Sequence, residues 1–499
     1  MRVSMKAVLF IVIITLGLST LPPSVVSTQA APKGKQYVLM GKTGSLPANL
    51  EALVAASGGK VVRTIPEIGV AIVESAEPNF AEVAASIPGI EVAEDEAIVL
   101  APMPSGLVVE GSNSVASAGR DPSDAKFFDV AQWNMRVIRA DMAWKKEQGD
   151  SRVAVAVLDT GIDYTHQELA GKVDMTKSKA FFKESGPLPP TLPKNFKAAE
   201  FVDFNGHGTH VAAIIAAEGI SVAGVAPHVT LIAVKVGGRD GFAKWSTIME
   251  AVVYAANVRA DVINMSFGER LARNRKNTQK LIVGLTRAVQ LAHDNGAILI
   301  APAGNEAINW DLNTGEIKLP AMIAGVLGTS ATGPSFGANP DALAVAPLDG
   351  GFAPYTDYGS SIVAFAAPGG SFTDYFVNPD TGRLDPNGMP VDAIISACSR
   401  FIQRLAGNPT IFPCQSGKAN IFLLGTSMSA AHVSGVAALI DSVARGGLNG
   451  DQILAILKET AADLGATGPD AFFGFGRVDA FAGVVCAQAK AKGKSCASP

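Results

Sequence analysis

The stretch Arg152–Asp163, RVAVAVLDTGID, decides how this chain folds. Residues 153–158 are all apolar, and their valines predict a β-strand that is buried on both faces. An ionisable residue, Asp159, follows directly, and Gly161 then indicates a turn. Because a strand with two apolar faces needs a covering layer on each side, this stretch is typical of a parallel sheet between layers of helices.

The chain from Ala125 onward repeats this pattern of buried strand and helix. Further apolar strands are predicted at Leu231–Val236, Val262–Met265, Ala297–Ile300, Met322–Leu327 and Ile362–Phe365. Helices are predicted between and after them, at Val211–Ala217, Thr247–Asn257, Gln279–Asn295, Ala430–Val443 and Gln452–Thr460. We therefore predict an α/β fold for residues 125–499, a doubly wound parallel sheet with helices on both faces. Functional residues of such folds lie at the carboxyl ends of the strands.

A smaller unit is predicted before this domain, within residues 31–100. Its predicted strands and helices alternate as β-α-β-β-α-β: strand Gln36–Met40, helix Leu50–Ala56, strands Lys60–Thr64 and Gly69–Glu74, helix Phe80–Ile87 and strand Ile90–Ala93. This order predicts a ferredoxin-like α+β sandwich. Residues 101–124 are rich in Pro, Gly, Ser and Asp without periodicity, which indicates a linker.

The first 30 residues have the pattern of a secretory signal peptide. Arg2 and Lys6 precede the apolar run Ala7–Leu18, and Thr28–Ala30 has the small-x-small pattern of a cleavage site. A membrane anchor is the alternative, but a span needs about 20 apolar residues, more than this run supplies. We therefore expect a secreted, extracellular protein.

The composition excludes several function classes. Apolar residues make up 48% of the chain and charged residues 17%, which excludes a largely disordered or collagen-like protein. The formal net charge is −4, so no basic excess points to nucleic acid or to an anionic membrane.

The chain has four cysteines, Cys398, Cys414, Cys486 and Cys496. In an oxidising compartment an even number favours disulfides, although four cysteines allow three pairings. We favour the two local pairs, Cys398 with Cys414 and Cys486 with Cys496, because each closes a loop that contains Gly, Pro or Ser. Free thiols are the alternative, and no spacing indicates a zinc site.

Three segments contain the residues that we consider candidates for chemistry. Asp159 follows the buried strand, His207 lies between two glycines in NGHGTHVA (205–212), and Ser427 lies in GTSMSAAHVSG (425–435) before an apolar helix. Taken alone, Asp159 and Ser427 are better explained as caps, and His207 as an accessible histidine. His207 and His210 together would be possible metal ligands, but no Cys or H-E-x-x-H frame accompanies them, and His210 fits a structural histidine.

In combination, and in the order Asp, His, Ser, these segments resemble the subtilisin family of serine proteases. The matching motifs are VLDTGID, NGHGTHVA, GTSMSAAHVSG and a fourth, APAGN at residues 301–305. The resemblance implies a catalytic triad of Asp159, His207 and Ser427, and an oxyanion hole made of the Asn305 side chain and the Ser427 amide. It also implies that residues 31–100 are an inhibitory propeptide.

The same resemblance implies how substrates bind. Ser266, Phe267 and Gly268 would offer a backbone edge to a peptide substrate. Pro302, Ala303 and Gly304 would form a wall of the primary specificity pocket, and their small uncharged side chains predict a preference for apolar residues. We therefore expect a secreted serine endopeptidase made as a self-processing zymogen, which is cut within the linker 101–124 and acts on proteins or peptides. The chemistry needs no cofactor.

Two other functions are weighed against this prediction. A catalytically inactive secreted binding protein on the same fold is disfavoured because the three triad residues and Asn305 are all present. A lipase or esterase would require G-x-S-x-G, whereas the residues around Ser427 are GTSMS, and the order of the triad would differ.

The chain departs from the family pattern in several places. Residues 172–200 and 370–422 are insertions, which could contact substrate or decorate the surface; of the two we favour decoration. Glu168 matches a carboxylate that binds a structural calcium ion in many members, so calcium is possible. However, the following loop, residues 217–222, is short and supplies few oxygen ligands, so we predict that this calcium site is absent or weak.

Overall fold

A computed structural model of the chain describes residues 34–100, 106–115, 120–182, 184, 193–334, 351–371, 376–377, 389–390, 392–402, 414 and 416–496. The predicted signal peptide, residues 1–30, lies outside these ranges. Within them, no helix is both long enough and apolar enough to cross a membrane.

The N-terminal unit contains five strands and two helices. They are β1 (Lys35–Gly41), α1 (Leu50–Ala56), β2 (Gly59–Ile65), β3 (Val70–Ser75), α2 (Phe80–Ala85), β4 (Ile90–Glu94) and β5 (Ala97–Val99). The first four strands form an antiparallel sheet in the order β2-β3-β1-β4, which agrees with the predicted ferredoxin-like sandwich. Val54 and Phe80 anchor the two helices in a core with Leu39 and Val73 of this sheet.

The rest of the described chain contains strands β6 to β21 and helices α3 to α11. The strands are β6 (Val108–Val109), β7 (Ala154–Asp159), β8 (Lys179–Ala180), β9 (Thr230–Lys235), β10 (Phe242–Lys244), β11 (Val262–Asn264), β12 (Glu269–Ala272), β13 (Ile298–Pro302), β14 (Glu316–Leu319), β15 (Val326–Gly333), β16 (Gly351–Phe352), β17 (Phe365–Pro368), β18 (Phe376–Val377), β19 (Met389–Pro390), β20 (Ile394–Ala397) and β21 (Asn420–Leu423). The helices are α3 (Phe128–Ala131), α4 (Trp133–Val137), α5 (Ala140–Trp144), α6 (His207–Ala216), α7 (Trp245–Asn257), α8 (Lys276–Asp294), α9 (Thr426–Val443), α10 (Gly450–Thr460) and α11 (Ala480–Lys490). Short 3₁₀ turns cover Pro66–Ile68 and Pro122–Asp124.

The main sheet has the order β16-β15-β13-β11-β7-β9-β8, and β17 pairs with β15. All of these pairs are parallel except β15 with β16, which confirms the predicted α/β fold. Two strands begin later than predicted, β15 at Val326 and β17 at Phe365. In both places the preceding apolar residues lie in hydrogen-bonded turns. The amide of Val326 donates to the carbonyl of Ile323, and the amide of Ile362 donates to the carbonyl of Gly359.

Strand β7 lies between two cores, as its sequence predicts. Val155 and Val157 belong to a core that includes residues of α6, α9 and α11. Ala156 and Leu158 belong to the opposite core, with residues of α7 and α8. Since successive side chains of a strand point to opposite faces, this division is the direct consequence of an uninterrupted apolar run.

The N-terminal unit packs against α7 and α8. Val38 and Ile72, on the second face of its sheet, share a core with apolar residues of these two helices. Polar contacts surround this core: the Arg63 guanidinium donates to Glu250 of α7 at 2.6 Å, and the Ser246 hydroxyl donates to Asp95 at 2.6 Å. The unit therefore lies on one helical layer of the larger domain.

Residues 106–115, predicted to belong to a linker, are structured. Val108 and Val109 form β6, which pairs with β21, and β21 pairs in turn with β20. Beyond β6, the amide of Ser112 donates to the hydroxyl of Ser221 at 2.8 Å. The lack of periodicity did not predict this strand, because its two residues are too few to show a period.

Both favoured disulfides are present in the structure. Cys398 bonds to Cys414 with their Cα atoms 5.8 Å apart, and Cys486 bonds to Cys496 with their Cα atoms 4.5 Å apart. Both Cα separations lie within the usual range for disulfides.

Candidate active site

Asp159 and His207 are brought together by the ends of two elements. Asp159 is the last residue of β7, and His207 is the first residue of α6. The Nδ1 atom of His207 lies 2.9 Å from Oδ1 and 3.0 Å from Oδ2 of Asp159. A side chain at the next position, Gly208, would not fit, because a Cβ atom there would lie 2.2 Å from the carbonyl oxygen of Gly161.

The surroundings of this pair favour a protonated imidazole. Burial opposes the charge, but the Asp159 carboxylate and the nearby Asp203 carboxylate outweigh it and raise the pKa of His207 above its ordinary value. Asp203 is itself buried and accepts hydrogen bonds from the Thr160 hydroxyl and from the amides of Asn205 and Gly206. These bonds fix the segment that leads into α6.

Ser427 lies in the first turn of the 18-residue helix α9, where backbone N–H groups have no partner within the helix. Its hydroxyl donates to the backbone carbonyl of Ser266 at 2.8 Å, and the Ser266 hydroxyl donates to the carbonyl of Ser427 at 2.9 Å. Among the described residues no hydrogen bond joins Ser427 to His207. The structure thus pairs Asp159 with His207 and holds the hydroxyl of Ser427 on Ser266.

Asn305 is anchored through one end of its side-chain amide. Its Oδ1 atom accepts from the amide and the hydroxyl of Thr426, at 2.9 and 2.8 Å. Asn305 is exposed and lines the same cavity as Ser427, and its Nδ2 group is a hydrogen-bond donor. Thr426, for which the sequence predicted no role, therefore orients Asn305.

A cavity of about 210 Å³ opens beside Ser427. Phe267, Gly268, Pro302, Gly304, Asn305, Thr426 and Ser427 line it, so most of the predicted substrate-binding residues are together. Predicted residues Ser266 and Ala303 are buried beside it.

Charged residues also line this cavity, namely Glu269, Glu306 and Lys318. The Lys318 ammonium is buried and lies 3.0 Å from a carboxylate oxygen of Glu306. The preference for apolar residues, predicted from residues 302–304 alone, does not take these charges into account. Glu306 directly follows the APAGN motif, and Glu269 and Lys318 lie outside it, so residues 302–304 did not reveal these charges.

The N-terminal unit reaches this cavity with its last strand. β5 pairs antiparallel with β10, and the amide of Leu100 donates to the carbonyl of Gly241 at 2.7 Å. Val99 and Leu100 line the cavity together with Ser427. The edge that holds this segment is β10, while Phe267 and Gly268 of the predicted edge line the same cavity, and their pairing with a substrate stays a prediction.

Glu168 does not fit the calcium ligand that it matches in sequence. The side chain is buried, and its two carboxylate oxygens accept from the amides of Ile220, at 3.0 Å, and Ser221, at 2.6 Å. Because these N–H groups present positive charge where a cation would bind, the residues do not form a calcium site. The neighbouring carboxylate of Glu218 instead pairs with Lys172.

The other histidines near the site are structural. The Nε2 atom of His210 lies 3.1 Å from the carbonyls of Ile394 and Ile421, and burial lowers the pKa of His210 to about 3. His432 lies within α9, where burial lowers its pKa to about 4. Both rings are therefore neutral at physiological pH.

The insertion 370–422 contacts the candidate site, although we expected it to decorate the surface. The hydroxyl of Ser399 donates to the carbonyl of Asp203 at 2.6 Å, and the amide of Arg400 donates to the buried carboxylate of Asp163 at 3.0 Å. The disulfide between Cys398 and Cys414 begins next to these residues. This insertion therefore supports the segments that carry Asp159 and His207.

Comparison with known proteins gives matches over most of the chain. Residues 150–476 match the Subtilase family. The thermophilic serine proteinase of Bacillus sp. (strain AK1) is 28% identical over 84% of this chain and 82% of that protein. Thermitase of Thermoactinomyces vulgaris is 28% identical over 73% of this chain and 99% of that protein. Among solved structures, the epidermin leader peptide processing serine protease of Staphylococcus aureus superposes with a TM-score of 0.67 at 21% identity, over 90% of this chain and 98% of that one.

Proposed function

The chain belongs to the subtilase family and is a serine endopeptidase, and from this premise we propose that Asp159, His207 and Ser427 are its catalytic triad. The observation that carries the proposal is the hydrogen bond between Asp159 and His207, at 2.9 Å. In the same site the chain's own β5 segment, residues 97–100, pairs with β10 and contributes Val99 and Leu100 to the cavity that Ser427 lines. Residues 31–100 act as a propeptide that blocks this site.

In the proposed reaction Ser427 is the nucleophile. Its hydroxyl leaves the Ser266 carbonyl, gives its proton to Nε2 of His207 and attacks the peptide carbonyl carbon. Asp159 holds the Nδ1 side of the ring and stabilises the imidazolium. His207 then protonates the leaving amine, and water releases the acyl group from Ser427 by the same steps.

Asn305 and the Ser427 amide stabilise the oxyanion. Thr426 occupies Oδ1 of Asn305, so that Nδ2 is presented as the donor. The amide of Ser427 lies in the first turn of α9, where the helix dipole adds positive potential. In subtilisin, itself a member of this family, the loss of one such donor costs about 10²–10³ in kcat.

The zymogen proposal rests on the chain segments on either side of residues 101–105. Val99 and Leu100, just before them, line the cavity with Ser427. Val108 and Val109, just after them, pair with β21, which leads along the chain to Ser427. We therefore place the first maturation cut within 101–105, at the start of the predicted linker.

Export before maturation completes the proposal. The apolar run Ala7–Leu18 with its preceding Arg2 and Lys6 has the pattern of a signal peptide. The two disulfides suit an oxidising compartment. The mature enzyme would act on extracellular proteins or peptides.

The test is Ser427→Ala, compared with wild type and with Ser429→Ala. Ser429 lies two residues further along α9 and donates to the carbonyl of Ala367, away from the proposed chemistry. We expect wild type and Ser429→Ala to shorten to a mature form and to react with a serine-directed phosphonate, and Ser427→Ala to do neither. N-terminal sequencing should place the first cut within residues 101–105.

Other outcomes would reject the proposal. Maturation of Ser427→Ala at the normal rate in a purified sample would exclude self-processing. Failure of folded wild type to react with the phosphonate would favour an inactive binding protein on the same fold.

A further inference from the structure

The insertion 172–200 reaches the backbone edge that holds the β5 segment, and it does so through Glu184. We propose that Glu184 is a positioning residue for this edge and sets the affinity of the enzyme for substrate residues on the N-terminal side of the scissile bond. The proposal rests on the function proposed above, because it assumes that substrates bind where β5 binds.

Glu184 holds Arg239, in the loop that joins β9 to β10. One carboxylate oxygen accepts from Nε of Arg239 at 2.6 Å, and the two oxygens lie 3.1 and 3.2 Å from the Arg239 backbone amide. The Glu184 side chain is only 10% exposed. A largely buried carboxylate that binds both the side chain and the backbone of one residue restricts that residue strongly.

The same loop is tied on its other side to the segment of His207. The side-chain amide of Asn205 donates to the carbonyl of Arg239 at 3.1 Å, and its oxygen accepts from the amide of His207 at 3.1 Å. Arg239 is therefore held between Glu184 and Asn205. Of these two contacts, only that with Glu184 comes from the insertion.

Glu184 also lies near a second cation, the ammonium of Lys235. The side chain of Lys235, at the end of β9, is fully buried, and its ammonium donates to the carbonyl of Thr160 and lies 3.6 Å from Glu184. Burial works against a charged ammonium and lowers the pKa of Lys235, while the carboxylates of Asp203 and Glu184 oppose this effect. Glu184 thus compensates a buried charge at the start of the same loop.

The loop from Gly237 to Gly241 contacts Leu100, one of the residues that line the cavity beside Ser427. Gly238 and Gly241 are joined by a backbone hydrogen bond of 3.0 Å, which makes a tight turn, and Gly241 then accepts from Leu100. A Cβ atom on Gly237 would lie 2.9 Å from the Leu100 side chain, and one on Gly238 would lie 2.8 Å from Phe182 of the insertion. The insertion and the bound segment therefore lie on neighbouring residues of one turn.

This geometry predicts an effect on binding and not on the chemical step. The described contacts of Glu184 are with Arg239 and Lys235, and none is with Asp159, His207 or Ser427. A displaced loop would misalign the β10 edge, whose hydrogen bonds a substrate needs only if it extends several residues before the scissile bond.

The experiment compares two substrates on wild type, Glu184→Gln and Glu200→Gln. Glu200 is an exposed glutamate of the same insertion and serves as the matched control. One substrate is an ester of a single blocked amino acid, which does not reach β10; the other is a peptide with four residues before the same scissile position. For Glu184→Gln we expect KM for the peptide to rise about 5- to 20-fold, as for the loss of a charged hydrogen bond, with kcat and all ester kinetics within twofold of wild type.

A second variant guards against misfolding. Glu184→Asp keeps the negative charge near Lys235 but shortens the side chain, so we expect it to fold with a melting temperature near that of wild type and to raise the peptide KM. Equal losses on ester and peptide would overturn the proposal in favour of a purely structural role, as would unchanged peptide kinetics in both Glu184 variants. A wild type that hydrolyses neither substrate would instead reject the proposed function itself.

Discussion

Ser427 and Ser266 are hydrogen-bonded to each other in both directions. The Ser427 hydroxyl donates to the Ser266 carbonyl at 2.8 Å, and the Ser266 hydroxyl donates to the Ser427 carbonyl at 2.9 Å. The Ser266 hydroxyl also accepts from the buried amide of Asn264 at 2.9 Å. The start of α9 is thereby attached to the residues that follow β11, at the carboxyl edge of the sheet.

Replacement of Ser266 by Ala tests this attachment. It keeps the carbonyl that accepts from Ser427 but removes the hydroxyl that donates to the Ser427 carbonyl. We expect kcat to fall about 3- to 10-fold with KM little changed, which corresponds to the loss of one ordinary hydrogen bond. Steady-state kinetics and the rate of phosphonate labelling should change together; a change in KM alone would mean that Ser266 serves only substrate binding.

Replacement of Lys318 by Met tests the charges of the cavity. Lys318 is the cation beside Glu306, so its replacement leaves the negative charges of Glu306 and Glu269 in the cavity without the positive charge of Lys318. The measurement compares two peptides that differ in the residue directly before the scissile bond, Lys in one and Glu in the other. We expect kcat/KM for the Lys peptide, divided by kcat/KM for the Glu peptide, to rise about tenfold, which corresponds to about 1.4 kcal/mol.

Arg270→Met is the control for Lys318→Met. Arg270 pairs with Glu316 at 3.5 Å and does not line the cavity, and its charge acts on Glu306 less than that of Lys318 does, so its loss should change the ratio much less. An equal change in both variants would show that overall charge, and not the cavity, controls this preference.

The activity should fall on the acid side of neutrality. In the proposed reaction proton transfer needs a neutral His207, and although burial lowers the pKa of this histidine, Asp159 and Asp203 raise it above its ordinary value of 6.5. As pH falls through that raised pKa, His207 becomes protonated and kcat/KM decreases. The pH profile of kcat/KM should therefore have its acid midpoint above 6.5; a midpoint well below this value would contradict the electrostatic picture.

Stability should depend on Glu168 and not on calcium at this residue. The two carboxylate oxygens of Glu168 accept from the amides of Ile220 and Ser221, and Glu168→Gln replaces one of them by an NH₂ group, which cannot accept. We therefore expect the free energy of unfolding to fall by about 1–3 kcal/mol, with a lower melting temperature. EDTA should not change the difference in melting temperature between this variant and wild type. A stabilisation by calcium that disappears in Glu168→Gln would show that the carboxylate binds the ion after all.

The buried Asp441 should make the protein less stable as pH rises. Burial, with a smaller effect of Asp261, raises the pKa of Asp441 to about 7, far above the ordinary 3.8. Between pH 4 and 7 the folded state therefore holds a proton that the unfolded state lacks, so stability decreases across this window and levels off above it. We expect Asp441→Asn to raise the melting temperature at pH 8 and to flatten its pH dependence, measured in the Ser427→Ala background to prevent autolysis.

Asp311→Asn is a control of opposite sign. Burial acts in the other direction, but hydrogen bonds from Ser360 and Ser361 lower the pKa of Asp311, so its charged form is favoured in the folded state. Its replacement should lower the melting temperature at pH 8. If both variants shifted in the same direction, the ionisation of Asp441 would not be the cause.

The main features of the fold could be predicted because they depend on local periodicity. The apolar run at 153–158 required two covering layers, and β7 indeed lies between two cores. The two strands that begin late, β15 and β17, were misplaced because hydrogen-bonded turns there contain apolar residues, which periodicity cannot separate from strand.

The candidate site was predicted unevenly. The motifs pointed to Asp159, His207, Asn305 and Ser427, because each lies in a segment with glycines or small residues near the end of a strand or the start of a helix; their joint catalytic role stays a prediction. They did not indicate Thr426 as the anchor of Asn305, nor the β10 edge, nor Lys318 in the cavity. Each of these depends on a contact between segments that are far apart in the chain, which local sequence does not specify.

By itself, then, the sequence determined the layers of the domain and the residues at its strand and helix ends, since burial and turn chemistry act on neighbouring residues. Only the tertiary structure decided how the surroundings are used. It directed Glu168 to two amides instead of a cation, brought Glu184 and Ser399 from the two insertions onto the segments around the site, and laid Leu100 beside Ser427. The physical reason is that hydrogen bonds and ion pairs are satisfied by whichever partner packing brings within about 3 Å, and that partner is chosen by the whole fold.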